Sequence, residues 1–309
     1  MRYRDQALAN SIHSSLNEYS AEYPLPGIYN TSFRNCFVAQ LVDSVRRVSF
    51  YTTVASRTLS AERINPTSQI FDPIRAAMLS KQNQNYNEAY WLAFLAVHFG
   101  KNNKTQWELV RNVYGGLGNS RIWTWDAVKN NFQDFSDWME DNEQELARTG
   151  NFGNHRKYES LRSASKSGTV HVINSYLNWI GHDHISKFEA FVNRSPEDPR
   201  QIFDFLYRSM KQVYRFGRTA RFDYLTSIGK LNLVQIEPGR TYLQDATGPV
   251  RGSRLLFGGV STATISKPDL EELLNLLESK LNLPFGMQVL EDALCNWQKS
   301  PGIYKYFNG

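Results

Sequence analysis

Between Arg208 and Arg254 the chain carries nine lysines or arginines (Arg208, Lys211, Arg215, Arg218, Arg221, Lys230, Arg240, Arg251 and Arg254) against three acids, Asp223, Glu237 and Asp245. Cations at that density can hold a polyanion such as a phosphate backbone, and an isolated carboxylate among them can do acid–base or electrostatic work. The plainer reading of such a run is a solvated basic face with loop glycines. A second cationic turn lies upstream, where Gly153, Asn154, His155, Arg156 and Lys157 group backbone amides, an imidazole and two cations ahead of a helix. That arrangement suits a phosphate or a base edge. A third group sets Trp123 and Trp125 beside Asp126, Asp134, Asp137 and Glu140. Its composition is that of a sugar-binding surface, although tryptophans more commonly anchor a core.

Several chemistries are missing. The sequence has no Gly-x-Ser-x-Gly elbow, no phosphate-cradling Walker loop, no His-Glu-x-x-His zinc helix and no deaminase Cys-x-x-Cys. Gly115-Gly116-Leu117-Gly118 lacks the spacing and the preceding strand of a dinucleotide loop and reads as a turn. His182-Asp183-His184 are adjacent, and adjacent residues rarely converge on one ion, so a loop is the better reading. His98 lies in an apolar run and reads as a satisfied core residue. Two cysteines, Cys36 and Cys295, cannot build a disulfide framework, a zinc ribbon or a cysteine-ligated iron–sulfur cluster. No metal and no cofactor is expected. What remains, basic loops with isolated carboxylates, suits cleavage of an N-glycosidic bond in DNA. There one carboxylate can stabilise an oxocarbenium-like sugar, and aromatics can hold a flipped base.

These groups must be positioned by helices. Phe37, Leu41, Val45, Val48 and Tyr51 recur at spacings of three and four, which predicts a helix over about 33–55 with Gln40, Asp43, Arg46 and Arg47 off its apolar stripe. Asn87 to Phe99 is apolar nearly all round and reads as a central helix ended by Gly100 in a left-handed cap. Further helices are expected over about 104–115, 168–180, 200–216, 219–231, after the capping signal Ser266-Lys-Pro-Asp269, and over 286–299. The best strand pattern is Val260–Ile265, and it is short. The fold class is therefore mainly α.

The chain has 309 residues, enough to bury a core without staples, with 41% apolar and 21% charged residues. A net charge of +5 favours an anionic partner. The first twenty residues lack an apolar core, so no signal peptide is expected, and no run of apolar residues is long enough to span a membrane. A cytoplasmic protein with no membrane association and no obligate protein partner is expected.

The segments FGNHRKYESL, FGRTARFDYLTSIGKL, IEPGRTYLQ and ATGPVRGSRLLFGG resemble the alpha-glutamyl/putrescinyl thymine pyrophosphorylase family, as do LPGI, Gln40 with Arg46-Arg47, and EAYWLAFLAVHFGK. The family is linked to hypermodified bases in phage DNA. Its label implies replacement of a pyrophosphorylated thymine substituent by an amine, and some members are anti-phage glycosylases that excise glucosylated hydroxymethylcytosine. More remotely, the chain resembles helix-hairpin-helix DNA glycosylases. That resemblance implies two helical lobes, about 1–60 plus 232–309 and about 61–231, in one globular unit with a cleft for DNA and base between them.

The residue roles follow from the resemblance. Gln40 matches the glutamine placed at the lesion, Asn154 to Lys157 match the turn before a helix, and Arg215 to Ala220 match the phosphate-binding hairpin, although its leading Leu-Pro-Gly is absent. The catalytic aspartate of those enzymes falls at Glu237 here, with Asp245 as the competing choice and Asp126 a third. Thr219 or its neighbours occupy the place of the lyase nucleophile, which implies hydrolysis by water without strand cleavage. Gln40, Asn154, His155, Asp126, Trp123 and Trp125 are thus candidates for base or sugar contact. Arg156, Lys157, Arg215, Gly217, Arg218, Thr219 and Arg254 are candidates for phosphate contact. The expected substrate is double-stranded DNA with hypermodified bases and the expected activity a monofunctional glycosylase. An amine transferase on modified thymine and a non-catalytic reader of modified DNA are the alternatives.

Overall fold

A computed structural model describes residues 5–119 and 121–306. The described residues are mainly helical and contain no strand, only two isolated bridges, Asn102 with Gln106 and Ser160 with Gly168. Two compact units result. Unit 1 comprises the described residues through Tyr51 together with those from Pro238 on, and unit 2 runs from Thr52 to Glu237.

Unit 1 packs the helices Gln6–Glu22, Thr31–Val48, Gly248–Gly258, Lys267–Leu281 and Gly286–Trp297 around one apolar cluster. Asn30 caps Thr31–Val48 by accepting from the Ser32 and Phe33 amides. The expected continuous helix to residue 55 is interrupted at Ser49, after which Phe50–Ala55 forms a separate short helix. Arg47 Nε and Ser44 Oγ both donate to Asp292 Oδ2 at 2.8 Å, tying Thr31–Val48 to Gly286–Trp297. Glycines in two of the sequence motifs have a packing role. A Cβ on Gly27 would lie 2.0 Å from the Leu255 carbonyl oxygen, and one on Gly252 would lie 2.3 Å from that of Leu294. Only glycine lets those backbones approach so closely. Val260–Ile265 is a loop rather than a strand. It has no neighbouring strand to pair with, and Arg254 Nε and Nη2 donate to the Ile265 carbonyl at 3.3 Å and close it against its own helix.

Unit 2 surrounds the helix Tyr86–Phe99, buried from Glu88 to Phe99. Gly100 ends it at φ +65°, ψ 157°, positive in φ as a glycine allows but extended in ψ rather than left-handed helical. The buried polar side chains of this helix are partnered. Thr169 donates its hydroxyl to the Ser160 carbonyl, so His98 Nε2, 3.0 Å away, must be the protonated nitrogen. Asn87 Oδ1 accepts from His184 Nδ1, so His184 Nε2 accepts from Tyr176, and Tyr224 donates to Tyr176. His182 is exposed and bonded to Asp183, whose other oxygen caps the helix His184–Val192; the three residues diverge rather than converge on a point.

Glu88 is the unusual member of this core. Tyr114 Oη donates to its Oε1 at 2.7 Å and the Trp125 amide to its Oε2 at 2.7 Å, yet burial pushes its carboxyl up to about 7. Its folded form holds a proton that the unfolded chain releases near 4.5, so this group makes unit 2 less stable as pH rises from about 4.5 to about 7, by up to about 3 kcal/mol. His98 acts with the opposite sign. Burial lowers it to about 3, so stability is lost as pH falls below the ordinary histidine value of 6.5. Glu88→Gln is therefore expected to remove the falling limb. In urea titrations, stability of the variant minus that of the wild type should climb between pH 4.5 and 7 and then level off; a flat difference would show that Glu88 titrates normally.

Candidate functional site

Unit 2 presents the first candidate. The helix Arg218–Lys230 starts at Gly217, which offers no side-chain acceptor to the leading amides. Gly217 is exposed and a Cβ there would meet nothing within 4 Å. The positive end of a thirteen-residue helix is thus uncapped and open, the arrangement that binds phosphates elsewhere. Arg215 adopts a left-handed φ of 60°, and its carbonyl accepts from the Gly217 amide at 3.0 Å, which turns the chain into the helix. Its guanidinium is held from the other motif: Nη2 donates to the Tyr158 carbonyl at 2.7 Å and Nε to Glu159 Oε2 at 3.4 Å.

His155, Tyr158, Lys211, Tyr214, Arg215 and Gly217 line one shallow depression of about 390 Å³. Two segments some sixty residues apart in sequence, each singled out for cations beside a turn, therefore face the same space. Tyr158 is 77% exposed and Tyr214 47%, so both rings offer faces on which bases can stack. Lys157 Nζ lies 5.0 Å from the Tyr158 ring centre. Arg218 lies 5.4 Å over Phe222 in the first turns of the same helix, next to the half-buried Thr219. Asn154 and His155 are exposed in the short turn Asn154–Arg156.

Several expected contacts are placed otherwise. Arg156 is buried: its Nε donates to the Val97 carbonyl at 2.7 Å and its Nη2 to Asp223 at 3.3 Å, so it fastens the turn to the end of the central helix instead of meeting a phosphate. Trp123 and Trp125 are 1% and 2% exposed. Trp123 packs on Phe135 and Trp138, and Trp125 packs on Trp91 and His184, which leaves neither ring a face for a sugar or base. Asp126 is exposed in the first turn of Trp125–Asn130, whose cap is Thr124. Arg254 holds the Ile265 carbonyl as described. Gln40 is 3% exposed and its amide donates to the Lys305 carbonyl at 2.8 Å, so no ligand reaches it in this arrangement.

Of the two leading carboxylates, Glu237 is half-buried and accepts from Arg200 Nε at 2.9 Å. Asp245 is exposed at the end of the turn Leu243–Asp245, just ahead of the helix Gly248–Gly258. The loop that carries Asp245 is anchored by a carboxylate the sequence did not mark. Glu271 accepts from the Thr241 amide and hydroxyl at 3.0 Å and from the Leu243 amide at 2.6 Å.

Unit 1 contains the second candidate, a pocket of about 590 Å³ on the helix Thr31–Val48, lined by Asn35, Cys36, Asp43, Arg46, Tyr304 and Tyr306 among others. Asp43 is 5% exposed; its Oδ2 accepts from the Tyr304 hydroxyl, and its Oδ1 is 3.4 Å from Arg46 Nη1. The same guanidinium lies 3.7 Å from Asp5. Burial first, and then the bond to Asp43, raise the Tyr304 hydroxyl above the ordinary tyrosine range, so it stays a donor. Asp43 sits three residues from Gln40 and on the same helix, but its polarity off the apolar stripe was the only trace of this role in the sequence.

No group of His, Cys, Asp or Glu among the described residues could hold a metal ion, and no helix among them is long and apolar enough to cross a membrane. A family model described as alpha-glutamyl/putrescinyl thymine pyrophosphorylase clade 3 matches residues 32–309. Neither a curated protein nor a solved structure matches the chain.

Proposed function

The chain belongs to the alpha-glutamyl/putrescinyl thymine pyrophosphorylase family, clade 3, and from that membership we propose that it is a DNA glycosylase that removes a bulky modified base from phage DNA. The observation that carries the reading is that His155 and Tyr158 of one segment meet Lys211, Arg215 and Gly217 of the other around one depression at an open helix start, with Glu159 on its wall paired to Arg215. That site suits a DNA phosphate, held by Arg215, Lys211 and the amides behind Gly217, with Arg218, Thr219 and Lys157 beside it. Asn154, His155, Tyr158 and Tyr214 flank it with hydrogen-bonding groups and rings.

The reaction is hydrolysis. The bond from sugar C1′ to the base nitrogen breaks with its electron pair leaving on the base. Water delivers its oxygen and one hydrogen to C1′, and its other proton ends on the base nitrogen. A carboxylate facing C1′ stabilises the positive charge that builds there. Asp245 is the stronger choice because it is exposed, whereas Glu237 is engaged by Arg200. In the cell such an enzyme would act in anti-phage defence on double-stranded DNA carrying hypermodified bases such as glucosylated hydroxymethylcytosine.

Incubation with such DNA and with unmodified DNA, followed by alkali, tests this. Alkali-labile sites in the modified DNA alone are expected, and their loss in Asp245→Asn by about a hundredfold or more would mark that carboxylate as the catalytic one. Intact DNA in both arms would refute the glycosylase reading. The family's description favours a second reading, displacement of pyrophosphate from modified thymine by an amine. It predicts amine adducts in DNA and no abasic sites.

A further inference from the structure

We propose that the unit 1 pocket receives an extruded pyrimidine base, whose pairing edge is read by Asp43 and Arg46 while its ring lies against Tyr304 and Tyr306. The inference rests on DNA being the substrate, but not on the bond that is later broken. A flipped base needs a pocket of a few hundred cubic ångströms with apolar and aromatic walls and a small number of fixed polar groups. This one measures about 590 Å³, is walled by Cys36, Ala39 and Val42 of the helix Thr31–Val48, and is faced by two tyrosines. The volume exceeds that of an unmodified pyrimidine, which leaves room for a substituent.

The polar groups define the edge. A carboxylate only accepts and a guanidinium only donates. Asp43 and Arg46 sit one helical turn apart, with Oδ1 and Nη1 3.4 Å from each other. An acceptor beside a donor at that spacing complements adjacent donor and acceptor positions, such as the amino group and ring nitrogen of cytosine or the ring N–H and carbonyl of thymine. Asp43 is held in place by the Tyr304 hydroxyl on its other oxygen, and a carboxylate has lone pairs enough to take a further hydrogen bond. The backbone of the helix is itself fixed by Arg47 and Ser44 on Asp292, so the edge-reading pair is presented on a rigid element. Tyr304 and Tyr306 are 42% and 59% exposed, so part of each ring is open for stacking.

Photocrosslinking tests the pocket without relying on catalysis. A duplex carrying one 5-iodouracil in a mismatch, which is easily extruded, is bound to the full chain and irradiated, and the adducts are mapped by peptide mass spectrometry. Adducts on Tyr304 or Tyr306 are expected. Asp43→Asn and Ala39→Phe, each checked for an unchanged melting temperature, should reduce them about tenfold or more, with overall DNA affinity held by the unit 2 depression. Adducts confined to Tyr158 and Tyr214, or none on a duplex that is demonstrably bound, would overturn the proposal. Crosslinks at Tyr304 or Tyr306 without base release from any modified DNA would uphold the pocket and refute the glycosylase reading. Base release without those crosslinks would do the reverse.

Discussion

Arg156→Ala is expected to lower the stability of unit 2 by about 2–4 kcal/mol and to leave the salt dependence of DNA binding unchanged. The guanidinium is buried between the Val97 carbonyl and Asp223. Removing it leaves a buried carbonyl at the C-terminal end of the central helix without its donor, and it withdraws a positive charge from the negative end of that helix's dipole. Most of the cost comes from that carbonyl and from the lost packing. The contact to Asp223 adds little, because the Asp223 side chain is 42% exposed and water screens it. Denaturant unfolding measures the first effect, and DNA affinity at several salt concentrations measures the second. A phosphate ligand would behave in the opposite way, with stability barely moved and the slope of affinity against salt reduced by about one unit.

Gly217→Asp should separate folding from binding by moving them in opposite directions. Gly217 has φ −67° and ψ −171°, ordinary cap geometry that any residue can adopt, and open space where a side chain would go. An aspartate there can accept from the leading amides and place a negative charge at the positive helix end, so the fold should gain about 0.5–1 kcal/mol. The same carboxylate would occupy the anion site and repel a phosphate, so DNA affinity should fall by about tenfold or more. Gly217→Ala serves as the control, with a similar fold and nearly unchanged binding. A stabilised Gly217→Asp variant that binds DNA as well as the wild type would show that the depression does not hold a DNA phosphate.

Much of the architecture was legible because it rests on local signals. The apolar run from Ala89 to Phe99 could only be central, and Ser266 with Asp269 marked the start of Lys267–Leu281, where the Ser266 hydroxyl does accept from the Asp269 amide. The helix expected over about 219–231 runs from Arg218 to Lys230. Long-range partnership was not legible. Arg156 and Lys157 are adjacent cations in sequence, but one faces the carbonyls of the central helix and the other faces solvent, and only tertiary packing decides which. The tryptophan pair at 123 and 125 illustrates the same limit, since a ring that suits a sugar suits a core equally well. Asp43 stood off the apolar stripe, but its role was not legible because its partner Tyr304 lies near the other end of the chain, at a separation no spacing rule can read. The strand pattern at Val260–Ile265 failed because a strand needs a neighbour, and the described residues contain none.

Mass spectrometry of what leaves the DNA decides whether this chain releases a base from the modified DNA it is proposed to hold. Phage DNA bearing glucosylated hydroxymethylcytosine is incubated with the protein, and the low-mass fraction is analysed. The free modified base is expected in an amount equal to the abasic sites formed, and none is expected from unmodified DNA. Pyrophosphate released from modified thymine together with an amine retained on the DNA, with every glycosidic bond intact, would show a transferase and not a glycosylase.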